Sequence, residues 1–325
     1  MGWFARFAAA AFAASFAASF ATPALAQSYP DRPVHLLVPF PPGGGANFVA
    51  RVLAQLLAAR LGQSMVVENR PGNNGNVAGE LVARAAADGY TILESAGSLL
   101  TVNPHLYATM PFDPFKDLLP VVTITSDELL LTENPALEPK SFHDFIDYAG
   151  RAKPPLLYGS IGNGSEHHLA MELFKEQAGL QMTHVPYRGG AAAALGVMGG
   201  EVAAMFGGAS VTPLVQAGKL RALAISGRKR SPLFPDLPSI SEIYPAYDVT
   251  IWQAVFVPAA TPPEIVARLR AAVNAVISQP EFADKLVAAG SGAPFATTPD
   301  EMAALIRADD ERFGRVIKAS GLKVD

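Results

Sequence analysis

The 325-residue sequence contains no cysteine, which excludes a disulfide framework, a thiolate zinc site, an iron–sulfur cluster and a cysteine nucleophile. It also lacks a basic excess. There are 25 Lys and Arg against 29 Asp and Glu, a formal net charge of −4, and no basic run longer than Arg228-Lys229-Arg230. Nucleic acid is therefore not an expected partner, since affinity for a phosphate backbone comes chiefly from clustered Lys and Arg. The chain has six His and no H-E-x-x-H, so a metal site has no positive support. The phosphate-binding G-x-x-x-x-G-K-[ST] is absent, and Gly162-Asn163-Gly164-Ser165-Glu166-His167 fails the third glycine of the dinucleotide fingerprint. No cofactor is expected.

Half of the residues are hydrophobic and 17% are charged, so the chain can bury a sizeable core. Single cores stop growing near roughly 250–300 residues, which favours two lobes over one. The N-terminus reads as an address. Arg6 precedes an apolar stretch over 7–21, and Ala24-Leu25-Ala26 supplies an A-x-A cleavage site before Gln27. These are the three parts of a secretory signal, and the apolar stretch is short of the ~20 residues that span a bilayer.

From Val34 onward, strand, glycine-rich turn and helix alternate. The apolar run 34–38 leads into Phe40-Pro41-Pro42-Gly43-Gly44-Gly45-Ala46, and Asn47 reads as the N-cap of a helix that Gly62 ends. Strands follow at 65–67 and 90–93, with a turn over 71–76 and a helix over 77–87 between them. The pattern resumes after a helix over 142–152, whose Ser141 and Asp144 fit a capping box. Strands are expected at 156–158, 183–185, 202–206 and 220–225, each running into a Gly-rich loop or a helix. Two such series predict an α/β fold of two lobes with mainly parallel sheets flanked by helices. The stretches 121–131 and 250–257 would cross between the lobes. Helices starting at Thr261-Pro262-Pro263-Glu264 and Thr298-Pro299-Asp300-Glu301 would be capped alike and pack back on the first lobe.

In open parallel sheets, ligands sit beyond the carboxyl ends of the strands, and here that edge carries several Gly/Ser loops feeding helix N-termini. Free amides and the positive helix end suit an anion. The candidate ligand-binding residues are Phe40, Pro42, Gly43, Gly44, Gly45, Ala46 and Asn47 from the first loop, and Ser95, Gly97 and Ser98 from the loop after the third strand. The second series adds Ser160, Gly162, Asn163, Gly164, Ser165 and His168, then Tyr187, Arg188 and Gly189, then Gly207 and Gly208. Arg188 is the one fixed cation in such a loop. His167 and His168, adjacent on a helix, point about 100° apart and cannot chelate one metal; capping or support is the reading for both. Phe40 could floor a cleft, whereas Trp252 is expected in the core. No serine of these loops sits in G-x-S-x-G, but a hydrolytic triad built on Ser165 and a histidine in another order stays open.

The order of segments resembles the substrate-binding receptors of tripartite tricarboxylate transporters, the TctC-like or Bug family. The matching stretches are YPDRP at 29–33, VPFPPGG at 38–44, VVENRPGNNGNVAGE at 66–80, DGYTIL at 88–93, NPHLY at 103–107, GSIGNGSEHHLA at 159–170, HVPYRGG at 184–190, AGKLRALA at 217–224 and VPAATPPEIVARL at 257–269. The resemblance implies a periplasmic, non-catalytic, two-lobed binding protein of the Venus-flytrap type (type II). Residues 27–126 and 250–325 would form a discontinuous first lobe, 127–249 the second, with hinges near 124–128 and 248–252. It further implies a small carboxylate as ligand, held largely by main-chain amides and delivered by a monomer to membrane transporter subunits. A sensory role would use the same fold. Two positions depart from the family pattern: Asn47 stands where an Asp is common, and Gly207-Gly208 where Asp-Asn is frequent. A di- or tricarboxylate or an aromatic acid is therefore expected ahead of an amino acid.

Overall fold

Residues 29–208, 211–231, 233–289 and 292–324 are described by a computed structural model; the expected signal sequence lies outside them. The first series runs β1 (Val34–Val38), α1 (Gly45–Leu61), β2 (Met65–Asn69), α2 (Asn76–Ala83), β3 (Thr91–Ala96), α3 (Ser98–Thr101), α4 (Asn103–Leu106), α5 (Pro114–Asp117) and β4 (Leu118–Glu128). After Leu129 come β5 (Leu130–Glu133), α6 (Phe142–Arg151), β6 (Leu156–Ser160), α7 (Glu166–Ala178), β7 (Met182–Pro186), α8 (Gly190–Met198), β8 (Ala204–Gly207), α9 (Thr212–Gln216) and β9 (Arg221–Ile225). The chain closes with β10 (Thr250–Pro258), α10 (Pro263–Ile277), α11 (Pro280–Ala288), β11 (Ala293–Pro294) and α12 (Pro299–Ser320).

Two mixed sheets result, with strand orders β11-β4-β10-β3-β1-β2 and β7-β6-β8-β5-β9. β1 pairs in parallel with β2 and β3, and β6 with β7 and β8, as right-handed crossovers require. The antiparallel pairings are those made by β10, β5 and β11. β10 pairs with β3 and β4, and β5 with β8 and β9. β4 stays in the first sheet as far as Glu128, opposite Thr250, and a single residue, Leu129, separates it from β5 in the second.

The core follows the strand faces. Leu37, Leu93, Ala254 and Phe256 pack with Leu99, Phe112 and Trp252 on one face of the first sheet. A larger cluster joins Tyr158, Phe174 and Phe206 of the second series to Val102 and Leu106 of the first, and to Phe313, Val316 and Ile317 of α12. So α12 does not pack on the first series alone. It also touches α7, and its Asp309 accepts from Trp252 Nε1 at 2.7 Å while its Arg312 donates to the Asp248 carbonyl.

Two expected caps differ in detail. Thr298 and Glu301 form the predicted capping box, as do Ser141 and Asp144. At α10, Thr261 instead donates Oγ1 to the Pro258 carbonyl, and Pro262 is the N-cap with no side-chain bond. Asn47 is not the N-cap of α1; that position is Gly44, so Asn47 lies inside the first turn.

Candidate functional site

Three loops, each ending a parallel strand and opening a helix, surround one cleft with a cavity volume of about 250 Å³. From the first series, Phe40 to Ala46 bring the start of α1. From the second, Ile161, Glu166 and His167 bring the start of α7, and Arg188 to Ala191 the start of α8. Gly208 follows β8. Ala96, Ile251 and Gln253 come from β3 and β10, and Asp127 and Leu129 from the crossing at the end of β4. α1 has no acidic residue in its first turn and neither has α8, so both present uncompensated amides there.

Of the residues predicted from sequence, Phe40, Pro42, Gly43, Gly44, Gly45, Ala46, Arg188, Gly189 and Gly208 line this cleft. Asn47, Ser95, Gly97, Ser98, Ser160, Gly162, Asn163, Gly164, Ser165, His168, Tyr187 and Gly207 do not. Several of these build its walls from behind. Asn47 donates Nδ2 to Asn69 Oδ1 at 3.0 Å, and Asn69 donates to the Phe40 carbonyl at 2.7 Å, which ties down the first loop. Gly97 lies against the Trp252 ring, where a Cβ would come within 2.2 Å of a ring carbon. Ser98 N donates to Glu166 Oε1 at 3.3 Å, joining the two series beside the cleft. Ser95 is buried.

In the 160–165 loop, Ser160 Oγ donates to the Gly162 carbonyl and lies 2.7 Å from His184 Nε2. Ser165 Oγ donates to the same carbonyl and accepts from His168 N, capping α7. That hydroxyl is thus committed to the backbone, and Ser165 stands outside the cleft. Gly164 packs on Leu106 at φ 70°, and Asn163 is exposed on the turn. His168 stacks on His184 beneath the loop. Tyr187 OH donates to Glu201 Oε2 at 3.0 Å, and Gly207 packs against Val211. Phe206 and Trp252 are core residues.

Sequence reasoning missed Asp127, Glu166 and Gln253 and read His167 as a cap or support where the fold places it in the cleft lining, because a lone polar residue on a strand or at a helix start gives no signal until the chain folds. Burial pushes the Asp127 carboxyl up to about 6 against the pull of the Gly292 amide, and raises Glu166, against which the Ser98 bond works. It lowers His167 to about 4, so that ring is neutral near pH 7. His167 Nδ1 and Gln253 Oε1 are buried without a hydrogen-bond partner. Arg188 is exposed, makes no ion pair among the described residues, and is the cleft's only cation. No group of three or more possible metal ligands occurs among the described residues. None of the described helices is long and apolar enough to cross a membrane.

The model of the tripartite tricarboxylate transporter family receptors matches residues 49–322. Protein BugT of Bordetella pertussis is 35% identical over 307 residues, 94% of each chain. Among solved structures, R. palustris Rpa4515 with adipate superposes with a TM-score of 0.86 at 35% identity, covering 91% of this chain and all of that one. MatC from Rhodopseudomonas palustris, with bound malate, gives 0.80 at 29%, covering 89% and 100%. The periplasmic binding protein BugD gives 0.83 at 28%, covering 91% and 100%. The two-sheet α/β architecture is that of periplasmic solute-binding proteins, and the chain belongs to the tripartite tricarboxylate transporter family of receptors.

Proposed function

We propose that this protein is a periplasmic receptor that captures a small carboxylate in the cleft and presents it to membrane transporter subunits without transforming it. The observation that carries the reading is the convergence of three helix N-termini, those of α1, α7 and α8, on one cleft with Arg188 at its edge. The uncompensated amides of α1 and α8 and their positive ends favour an anion, while α7 is already capped by Ser165 and carries Glu166; the fixed guanidinium adds a charge-assisted bond. Phe40, Leu129, Ile161 and Ile251 leave the middle of the cleft apolar, which suits a carbon skeleton between polar ends. A volume of about 250 Å³ has room for a small di- or tricarboxylate or an aromatic acid. The structures of relatives with adipate and malate support the same ligand class.

An acid without an ammonium group is the favoured ligand. Asn47 is turned to Asn69, Gly208 carries no side chain, and Asp127 is engaged by the Gly292 amide. In this reading residues 27–126 with 250–325 form one lobe and 127–249 the other. Ligand held by both lobes shifts the open–closed equilibrium toward the form that the transporter reads. The segment 1–26 would direct export and be removed near Ala26, leaving a soluble monomer.

The test is a thermal-shift screen of the purified protein against succinate, citrate, adipate, benzoate, glutamate and aspartate, followed by calorimetry. A ligand at 100 times its Kd adds about 2.7 kcal/mol of stability, a shift of several degrees. Tighter binding of glutamate or aspartate than of every non-amino acid would reject the ligand class, and flat melting curves throughout would reject the carboxylate reading.

A further inference from the structure

The sheet floor beneath the cleft carries an unusual row of polar side chains. Gln253 of β10 is directly opposite Ala96 of β3 on one side and Thr125 of β4 on the other, and Val255 is opposite Glu94. Directly opposed residues share a face, and so do residues two apart on a strand. Gln253, Thr125, Ala96 and Glu94 therefore project from the same face of three adjacent strands. Ala96 and Gln253 line the cleft, which fixes that face as the one beneath it. The opposite face carries Leu93, Ala254 and Phe256 in an apolar cluster, with Ser95 and Thr123 opposite Ala254.

The row is buried: Glu94 and Thr125 are 0% exposed and Gln253 5%. Both carboxyl oxygens of Glu94, Oγ1 of Thr125 and Oε1 of Gln253 lack a hydrogen-bond partner, and so does Oδ1 of Asn274, on the helix that packs over β4. Each such atom is destabilising unless something bonds to it. Four of these atoms are carboxyl or amide oxygens and one is a hydroxyl, so a small group that can both donate and accept would complete them. Burial raises the Glu94 carboxyl well above its usual range, and no cation lies in the row. A neutral donor matches this floor; an ammonium would have to lose its water or ionise Glu94.

We propose that Gln253, which lines the cleft, together with Glu94 and Thr125 buried behind it on the same face, forms a polar floor that selects acids carrying a hydroxyl group over the same acids without it. The proposal rests on the carboxylate reading above and names the second group that the ligand presents. A site whose buried polar atoms are completed by a ligand hydroxyl discriminates strongly against the analogue lacking it, because binding the analogue leaves them unpaired.

Calorimetry on three matched pairs tests this: malate against succinate, citrate against tricarballylate, and 3-phenyllactate against 3-phenylpropionate. In whichever pair binds, the hydroxy acid should bind at least tenfold more tightly. Glu94→Met should erase that ratio to within threefold, and Glu94→Gln should retain the preference. A melting curve of ligand-free Glu94→Met should lie at or above the wild type, since an unpartnered carboxyl has been removed, which also establishes that the variant folds. Equal affinity within the binding pairs, or a preference that survives Glu94→Met, would overturn the floor and leave the receptor reading standing. Failure of all six acids would overturn the carboxylate reading, and the floor with it.

Discussion

The imidazole rings of His168 and His184 stack face to face, with centroids 3.7 Å apart and planes 12° from parallel. One comes from the first turn of α7 and the other from β7, and together they underlie the 160–165 loop. Gly164 N donates to His168 Nδ1 at 3.1 Å, which requires that nitrogen to be unprotonated. Burial lowers His168 to about 3, with help from His184 and Lys175, and lowers His184 to about 4 against the pull of the Glu172 carboxylate.

An acid-sensitive loop is the consequence. The unfolded chain takes up these protons near pH 6.5 while the folded chain refuses them until about 4, so stability present at pH 7 is lost as the pH falls through that window. For His184 alone, which is only partly buried, the loss after solvent screening is on the order of 2 kcal/mol. Urea denaturation at pH 7 and 4.5 should show a smaller drop for His184→Gln than for wild type; identical drops would reject the assignment.

Asp127 has the opposite sign. Its carboxyl is held at about 6 in the fold against 3.8 ordinarily, so its contribution is complete below pH 4 and is lost as the pH rises through 6, by about 3 kcal/mol. Asp127→Asn should therefore match wild type at pH 4 and gain on it at pH 7 in the same denaturation series. A difference that does not change with pH would contradict this.

Arg188 is exposed and carries no fold-stabilising pair, so Arg188→Gln should leave the ligand-free melting temperature within about 1 °C. The same change should weaken carboxylate binding tenfold or more, as expected for loss of a hydrogen bond to a charged group worth about 1.5–3 kcal/mol. Unchanged affinity by calorimetry would remove Arg188 from the site.

Gly97→Ala should destabilise by about 2 kcal/mol. The new methyl would overlap the Trp252 ring, which cannot swing away because Nε1 is bonded to buried Asp309. An unchanged melting temperature would show that the ring has room to move.

Ser165→Ala removes the cap of α7 and should cost about 1 kcal/mol. On generic ester substrates neither wild type nor variant should show turnover. Hydrolysis by wild type that disappears in the variant would overturn the non-catalytic reading.

The sequence by itself determined the α/β alternation, the glycine loops at strand ends and the capping boxes at Ser141 and Thr298, because these follow from periodicity and local backbone chemistry. It also marked Phe40, the 42–46 loop and Arg188, which the fold brings to the cleft. Tertiary structure alone decided that Asp127, His167, Glu166 and Gln253 join them, since pairing between β4 and β10 and the docking of α7 bring together residues distant in the chain. It likewise turned Asn47, Ser160, Ser165 and His168 into supports for the walls: each has a backbone or side-chain partner that only the folded loops supply. Glu94 is the sharpest case. In sequence it is one acid in a strand, and only register across three strands shows it buried with nothing to bond.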